Sequence, residues 1–123
     1  MGYRDATAMY KNNQILTASP KRLIELLYEG AIKNIKLAEL ALDTVDFESV
    51  NRYSTKAQSI ILELKNALNP TAGGEITEQL NQIYDFMFER LVSANIEKQP
   101  EKFELVRKML EELKTTWNEL EIS

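Results

Sequence analysis

Apolar residues recur along this chain at helical spacing, and polar clusters cut the pattern into four long segments. The first runs from about Ser19 to Asp43, SPKRLIELLYEGAIKNIKLAELALD. Ser19 is an N-cap by type, and Pro20 suits the first helical position, where its missing N–H costs nothing. Wound at about 100° per residue, Leu23, Leu27, Ala38 and Ala41 fall on one line, with Ile24, Tyr28, Ala31, Ile35 and Leu42 beside it. Leu26, Leu37 and Leu40 lie on one flank of that stripe and Ile32 on the other. Only a narrow polar strip of Glu25, Glu29, Lys36 and Asp43 remains. A surface helix ordinarily buries one apolar stripe, so this one has apolar surface to spare.

Asp43-Thr44-Val45-Asp46 is a short connection in which Asp46 is placed to cap the next helix. From about 46 to 69, Val50, Tyr53, Ala57, Ile60, Ile61, Leu64, Ala67 and Leu68 make a stripe of conventional width, with Leu62 its one clear outlier. Pro70 and Gly73-Gly74 stop that helix. A third spans about 75–97, opening on Glu75, whose carboxylate favours the positive end of the helix dipole. Ile76, Leu80, Ile83, Met87, Leu91 and Ala94 form its core line, with Tyr84 at the edge. Phe86 projects to one side, and Phe88, Val92 and Ile96 to the other. Lys98-Gln99-Pro100 breaks the pattern. The last helix, about 100–121, shows a narrow stripe of Phe103, Val106, Met109, Leu110, Leu113, Trp117 and Leu120. By this reading the second and fourth helices are saturated by a core, and the first and third carry the excess.

Short connections make neighbouring helices antiparallel. The pattern therefore predicts an all-α fold, an antiparallel up-down-up-down four-helix bundle over residues 19–123, preceded by a short N-terminal helix or strap over 1–18. In the strap Tyr3, Ala6 and Tyr10 share a face, and Ile15-Leu16 follow as an isolated apolar pair. Its simplest role is to close one end of the bundle. A sharper reading makes Tyr10, Ile15 and Leu16 a detachable plug over apolar surface, since terminal segments have low local stability. At 123 residues the chain is one domain, long enough to bury a core without staples.

Composition narrows the chemistry. There is no cysteine, hence no disulfide framework, which fits a reducing compartment. No apolar run is long enough to span a bilayer and no signal-peptide pattern is present, so the expected address is the cytoplasm, without membrane insertion. A formal net charge of −4 argues against nucleic acid as a partner. The chain has no histidine, which removes the commonest general base and the commonest metal ligand. Gly73-Gly74 lacks the Lys-Ser/Thr and the preceding strand of a phosphate loop. The expectation is a binding protein and not an enzyme, with no catalytic residue, cofactor or metal. Two classes stay open on these residues: an interaction protein offering apolar grooves to a helical or unfolded segment, or a module whose excess is buried by self-association as a homodimer. The candidate client-binding residues, chosen by helical angle, are Leu26, Ile32, Leu37, Leu40, Phe86, Phe88, Val92 and Ile96.

Longer motifs bear on that choice. Tyr10-x-x-Asn13-x-Ile15-x-Thr17-Ala18-Ser19-Pro20, followed by Leu26-Leu27-Tyr28-Glu29-Gly30-Ala31, resembles the opening of the flagellar secretion chaperone FliS family. So do Lys56-Ala57-x-x-Ile60-Ile61-x-x-Leu64 and Gly73-Gly74-Glu75-Ile76, with Leu80, Tyr84-Asp85-Phe86-Met87 and Arg90-Leu91-x-x-Ala94-Asn95 after them. Trp117 sits where that family places a tryptophan. The chain departs at Glu29, where the family often has Asp, at Phe86, often Tyr, and at Glu89, often Arg. The resemblance implies an all-helical cytoplasmic chaperone without ATPase activity. Such a chaperone binds the disordered C-terminal region of flagellin, prevents premature polymerisation and delivers it to the flagellar type III export gate. It also implies a client wrapped around the bundle as helical and extended pieces, with the chaperone's own N-terminal segment able to cover part of the groove.

Overall fold

A computed structural model of the chain describes residues 19–68 and 74–119. Among them are four helices and no strand: α1 (Pro20–Asp43), α2 (Phe47–Leu68), α3 (Gly74–Glu97) and α4 (Pro100–Glu119). The all-helical class expected from the periodicity is the class observed. The expected strap, with Tyr10, Ile15 and Leu16, lies outside the described residues.

Local chemistry sets the helix starts. Ser19 is extended (φ −66°, ψ 161°), and its hydroxyl accepts a hydrogen bond from the Arg22 N–H at 3.2 Å, with Pro20 beginning the helix. Asp46 caps α2 in the same way, accepting from the Ser49 N–H at 3.2 Å and the Ser49 hydroxyl at 2.6 Å. These bonds hold the Asp46 carboxyl below the usual range, because they favour its charged form. Two helix ends use a device the sequence does not advertise. Val45 and Lys98 both take positive φ, 56° and 53°. The N–H after each reaches back into the helix, Asp46 to the Ala41 carbonyl at 2.9 Å and Gln99 to the Ala94 carbonyl at 3.1 Å. This is the six-to-one bond of a Schellman ending, whose left-handed position usually belongs to glycine.

α1 and α3 each pack against both α2 and α4, so the two stand at opposite corners. Along α1 and α4 rising residue numbers meet falling ones. The Trp117 indole N–H donates to the Lys21 carbonyl at 3.0 Å, Lys114 reaches Glu29 at 3.5 Å, and Arg107 grips Glu39 through Nε at 2.7 Å. α2 and α3 pair likewise, Lys65 with Asp85 at 2.7 Å and the Ser54 hydroxyl with the Leu91 carbonyl at 3.4 Å. Ala31, Ile35, Ala57, Ile61, Leu64, Met87, Leu91 and Phe103 are fully sequestered at the centre. Each large apolar side chain buried there contributes roughly 1.5–3 kcal/mol. One polar contact crosses this core corner to corner: the Tyr28 and Tyr84 hydroxyls are 2.6 Å apart.

Candidate functional site

The ion pair of Lys65 with Asp85 marks the flank of α3 that faces α2. Phe88, Val92 and Ile96 follow Asp85 by three, seven and eleven residues, so they continue along that flank. The α2 side of the seam is fixed the same way. Leu62 precedes Lys65 by one turn, and Ser54 and Asn51 continue toward Phe47 at the start of the helix. Gln58 donates to the Ser54 hydroxyl at 3.2 Å, and Ser54 in turn bonds the α3 backbone. At the far end the Lys98 ammonium donates to the Asn51 side chain at 2.7 Å and lies 5.8 Å from the centre of the Phe47 ring. Lys98 also bonds the Asn95 carbonyl and side chain, so its charge is engaged in tying the two connections together. Polar contacts run along this seam, buried at Ser54 and exposed between Lys65 and Asp85 and between Lys98 and Asn51, beside half-buried Phe88 and Val92 and exposed Ile96.

The eight residues chosen from helical angle fall into three groups. Leu26 and Ile32 are buried, at 4% and 9% exposure. Ile32 belongs to the central cluster, whereas Leu26 is sequestered apart from that cluster of described residues. Leu37, Phe88 and Val92 are half-buried, and Phe88 packs against the edge of the core. Leu40, Phe86 and Ile96 stand in solvent, at 62%, 39% and 75%. The structure brings Phe88, Val92 and Ile96 onto one flank. Phe86 lies on the other flank, with the Arg90 guanidinium 4.8 Å from its ring centre. Leu37 and Leu40 belong to the opposite corner, where Gly30 brings α1 against Ile60 of α2.

Exposed apolar residues are not confined to α1 and α3. Phe47 (47%) and Leu62 (43%) on α2 and Leu105 (43%) on α4 are also out, and Val45 (67%) stands in the α1–α2 connection. The view that α2 and α4 are saturated is thus corrected. Leu62 gave a signal as the outlier of its stripe. Leu105 is adjacent in sequence to core positions and gave none.

No group of three or more acidic, histidine or cysteine side chains is arranged to hold a metal among the described residues. Nor is any described helix long and apolar enough to cross a membrane. The described residues define an all-helical protein with exposed and half-buried apolar side chains bordered by charge. Its sequence matches the family model for flagellar protein FliS over residues 3–123, and the chain belongs to the FliS family. A flagellar secretion chaperone FliS from Bacillus subtilis (strain 168) is 38% identical over 96 residues, 78% of this chain and 71% of that one. The Salmonella typhimurium protein of the same name is 34% identical over 107 residues, covering 86% and 79%. That of Campylobacter jejuni is 31% identical over 111 residues, covering 90% and 87%.

Proposed function

We propose that this protein is a flagellin-specific export chaperone. It binds the disordered C-terminal region of flagellin in the cytoplasm, prevents premature polymerisation, and passes the segment to a component of the flagellar type III export gate. Family membership supports the flagellar chaperone role, and the exposure of Ile96 at the end of the Phe88–Val92 flank is the observation that carries the binding surface. The bundle is read as up-down-up-down, with support from the opposed numbering of the α1–α4 and α2–α3 contacts.

A disordered client loses chain entropy on binding and must recover it from a large apolar footprint. Ile96, Val92 and Phe88 on α3, Phe86 on its other flank, and Leu37 with Leu40 on α1 supply separated anchors around the bundle. That distribution suits a wrapped segment better than a single compact ligand. Tyr10, Ile15 and Leu16 remain the proposed plug, covering part of this surface until the client displaces them.

The test is Ile96→Asp. Because three quarters of this side chain is already in solvent, the variant is expected to keep a cooperative helical melt. Its affinity for a flagellin C-terminal segment is expected to fall roughly tenfold or more by calorimetry, the equivalent of one lost apolar anchor. An affinity equal to the parent protein's would remove Ile96 and its flank from the site.

A further inference from the structure

The acidic excess of the molecule is concentrated on one helix. α3 carries Glu75, Glu78, Asp85, Glu89 and Glu97 against the single base Arg90, a balance of −4 that equals the formal net charge of the whole chain. The other helices interleave their charges. Arg22 sits between Glu25 and Glu29 at 3.1 and 3.3 Å, and on α4 Arg107 and Lys108 are paired with Glu104 and Glu111. The bases near α3 are already engaged. Arg90 lies over Phe86, Lys65 holds Asp85, and Lys102 holds Glu97 at 2.8 Å. Glu78 and Glu89 are exposed, and neither makes a hydrogen bond or ion pair with another described residue.

Their position is what matters. Glu78, Gln82, Asp85, Glu89, Val92 and Ile96 recur at three- and four-residue spacing, so they form one line along the side of α3 that borders α2 and solvent. The line is acidic at its first half and apolar at its second, and the span from Glu78 to Glu89 is about 16 Å at the helical rise. Asp85 and Glu89 are four apart, a like-charge arrangement that destabilises a helix on its own. A second copy of this chain is a poor occupant, because its own line would set carboxylates or apolar residues, and no base, against Glu78 and Glu89 whichever way the two helices ran.

We infer that the part of the client lying on α3 is a cationic amphipathic stretch: its apolar residues rest on Val92 and Ile96, and its Lys or Arg residues extend toward Glu89 and Glu78. This rests on the chaperone reading of the same surface, adding to it the sign and direction of the client's charge. The apolar anchors set the affinity, and the carboxylates set orientation and salt dependence.

The experiment titrates the full chain with three ligands at several salt concentrations: the flagellin C-terminal segment, and two synthetic helical peptides with identical apolar residues and either Lys or Glu between them. The Lys peptide is expected to bind and the Glu peptide not. Glu78→Gln with Glu89→Gln is expected to weaken the Lys peptide and the flagellin segment about three- to tenfold and to flatten the salt dependence. Glu101→Gln with Glu112→Gln, on the exposed face of α4, is the control and is expected to change neither. Equal binding of both peptides, binding of neither, or indifference to the α3 substitutions would overturn the inference. If the flagellin segment alone fails while the Lys peptide binds through Glu78 and Glu89, the inference stands and the flagellin reading falls.

Discussion

Tyr28 and Tyr84 are the residues on which the identity of the core turns. They occupy opposite corners of the bundle, are almost completely buried, and satisfy each other with one 2.6 Å hydrogen bond. Burial raises both phenols above their ordinary pKa, since the core disfavours the phenolate. Their contribution is therefore full below the normal phenol range and is lost as pH rises past about 10, where unfolded tyrosines begin to ionise. Changing either one to Phe leaves the other hydroxyl buried without its partner, at an expected cost of about 1–2 kcal/mol. The double variant Tyr28→Phe/Tyr84→Phe removes both polar groups and is expected to lose less than the two single changes added together. Denaturant melts of the four proteins measure this directly, and simple additivity would show that the two hydroxyls are not coupled. The sequence placed Tyr28 beside the core line of α1 and Tyr84 at the edge of that of α3, but hydrophobic period alone does not pair two positions 56 residues apart.

At the level of helices, the starts were legible and two of the ends were not. Ser19-Pro20 and Asp46 declare their capping roles by residue type, and both make the expected bonds. Val45 and Lys98 do not, because a left-handed helix ending is normally read from a glycine. A β-branched residue there carries the greater strain. Val45→Gly is expected to raise stability by about 1 kcal/mol, a melting shift of a few degrees, despite the extra chain entropy of glycine. A lower melting temperature would mean that the Val45 side chain, exposed as it is, makes a compensating contact. The candidate site was partly readable for a related reason. Helical angle assigns flanks, and on α3 it sets Phe86 apart from Phe88, Val92 and Ile96. It cannot say how near a neighbouring helix comes, which is why Ile32 looked like surface and is buried in the central cluster; Leu26 is buried as well, apart from that cluster. The close approach of α1 to α2 at Gly30 shows how small residues shift that distance.

Across the molecule, the four described helices enclose one core and still leave large apolar side chains in solvent on each of them. An isolated soluble domain tolerates scattered exposure of this kind. Here exposed Ile96 continues half-buried Phe88 and Val92 along one flank of α3, and the chain belongs to a family of flagellar chaperones, so the exposure is read as a function. The central claim is that this bundle binds the C-terminal segment of flagellin through those residues. Calorimetric titration of the full chain with that segment, run over a range of temperatures and alongside sedimentation of the chain alone, tests it most directly. Saturable binding with a negative heat-capacity change, the mark of apolar burial, is the expected result. A tight dimer that gives no heat with the segment would contradict it, since the same side chains would then be covered by a second copy.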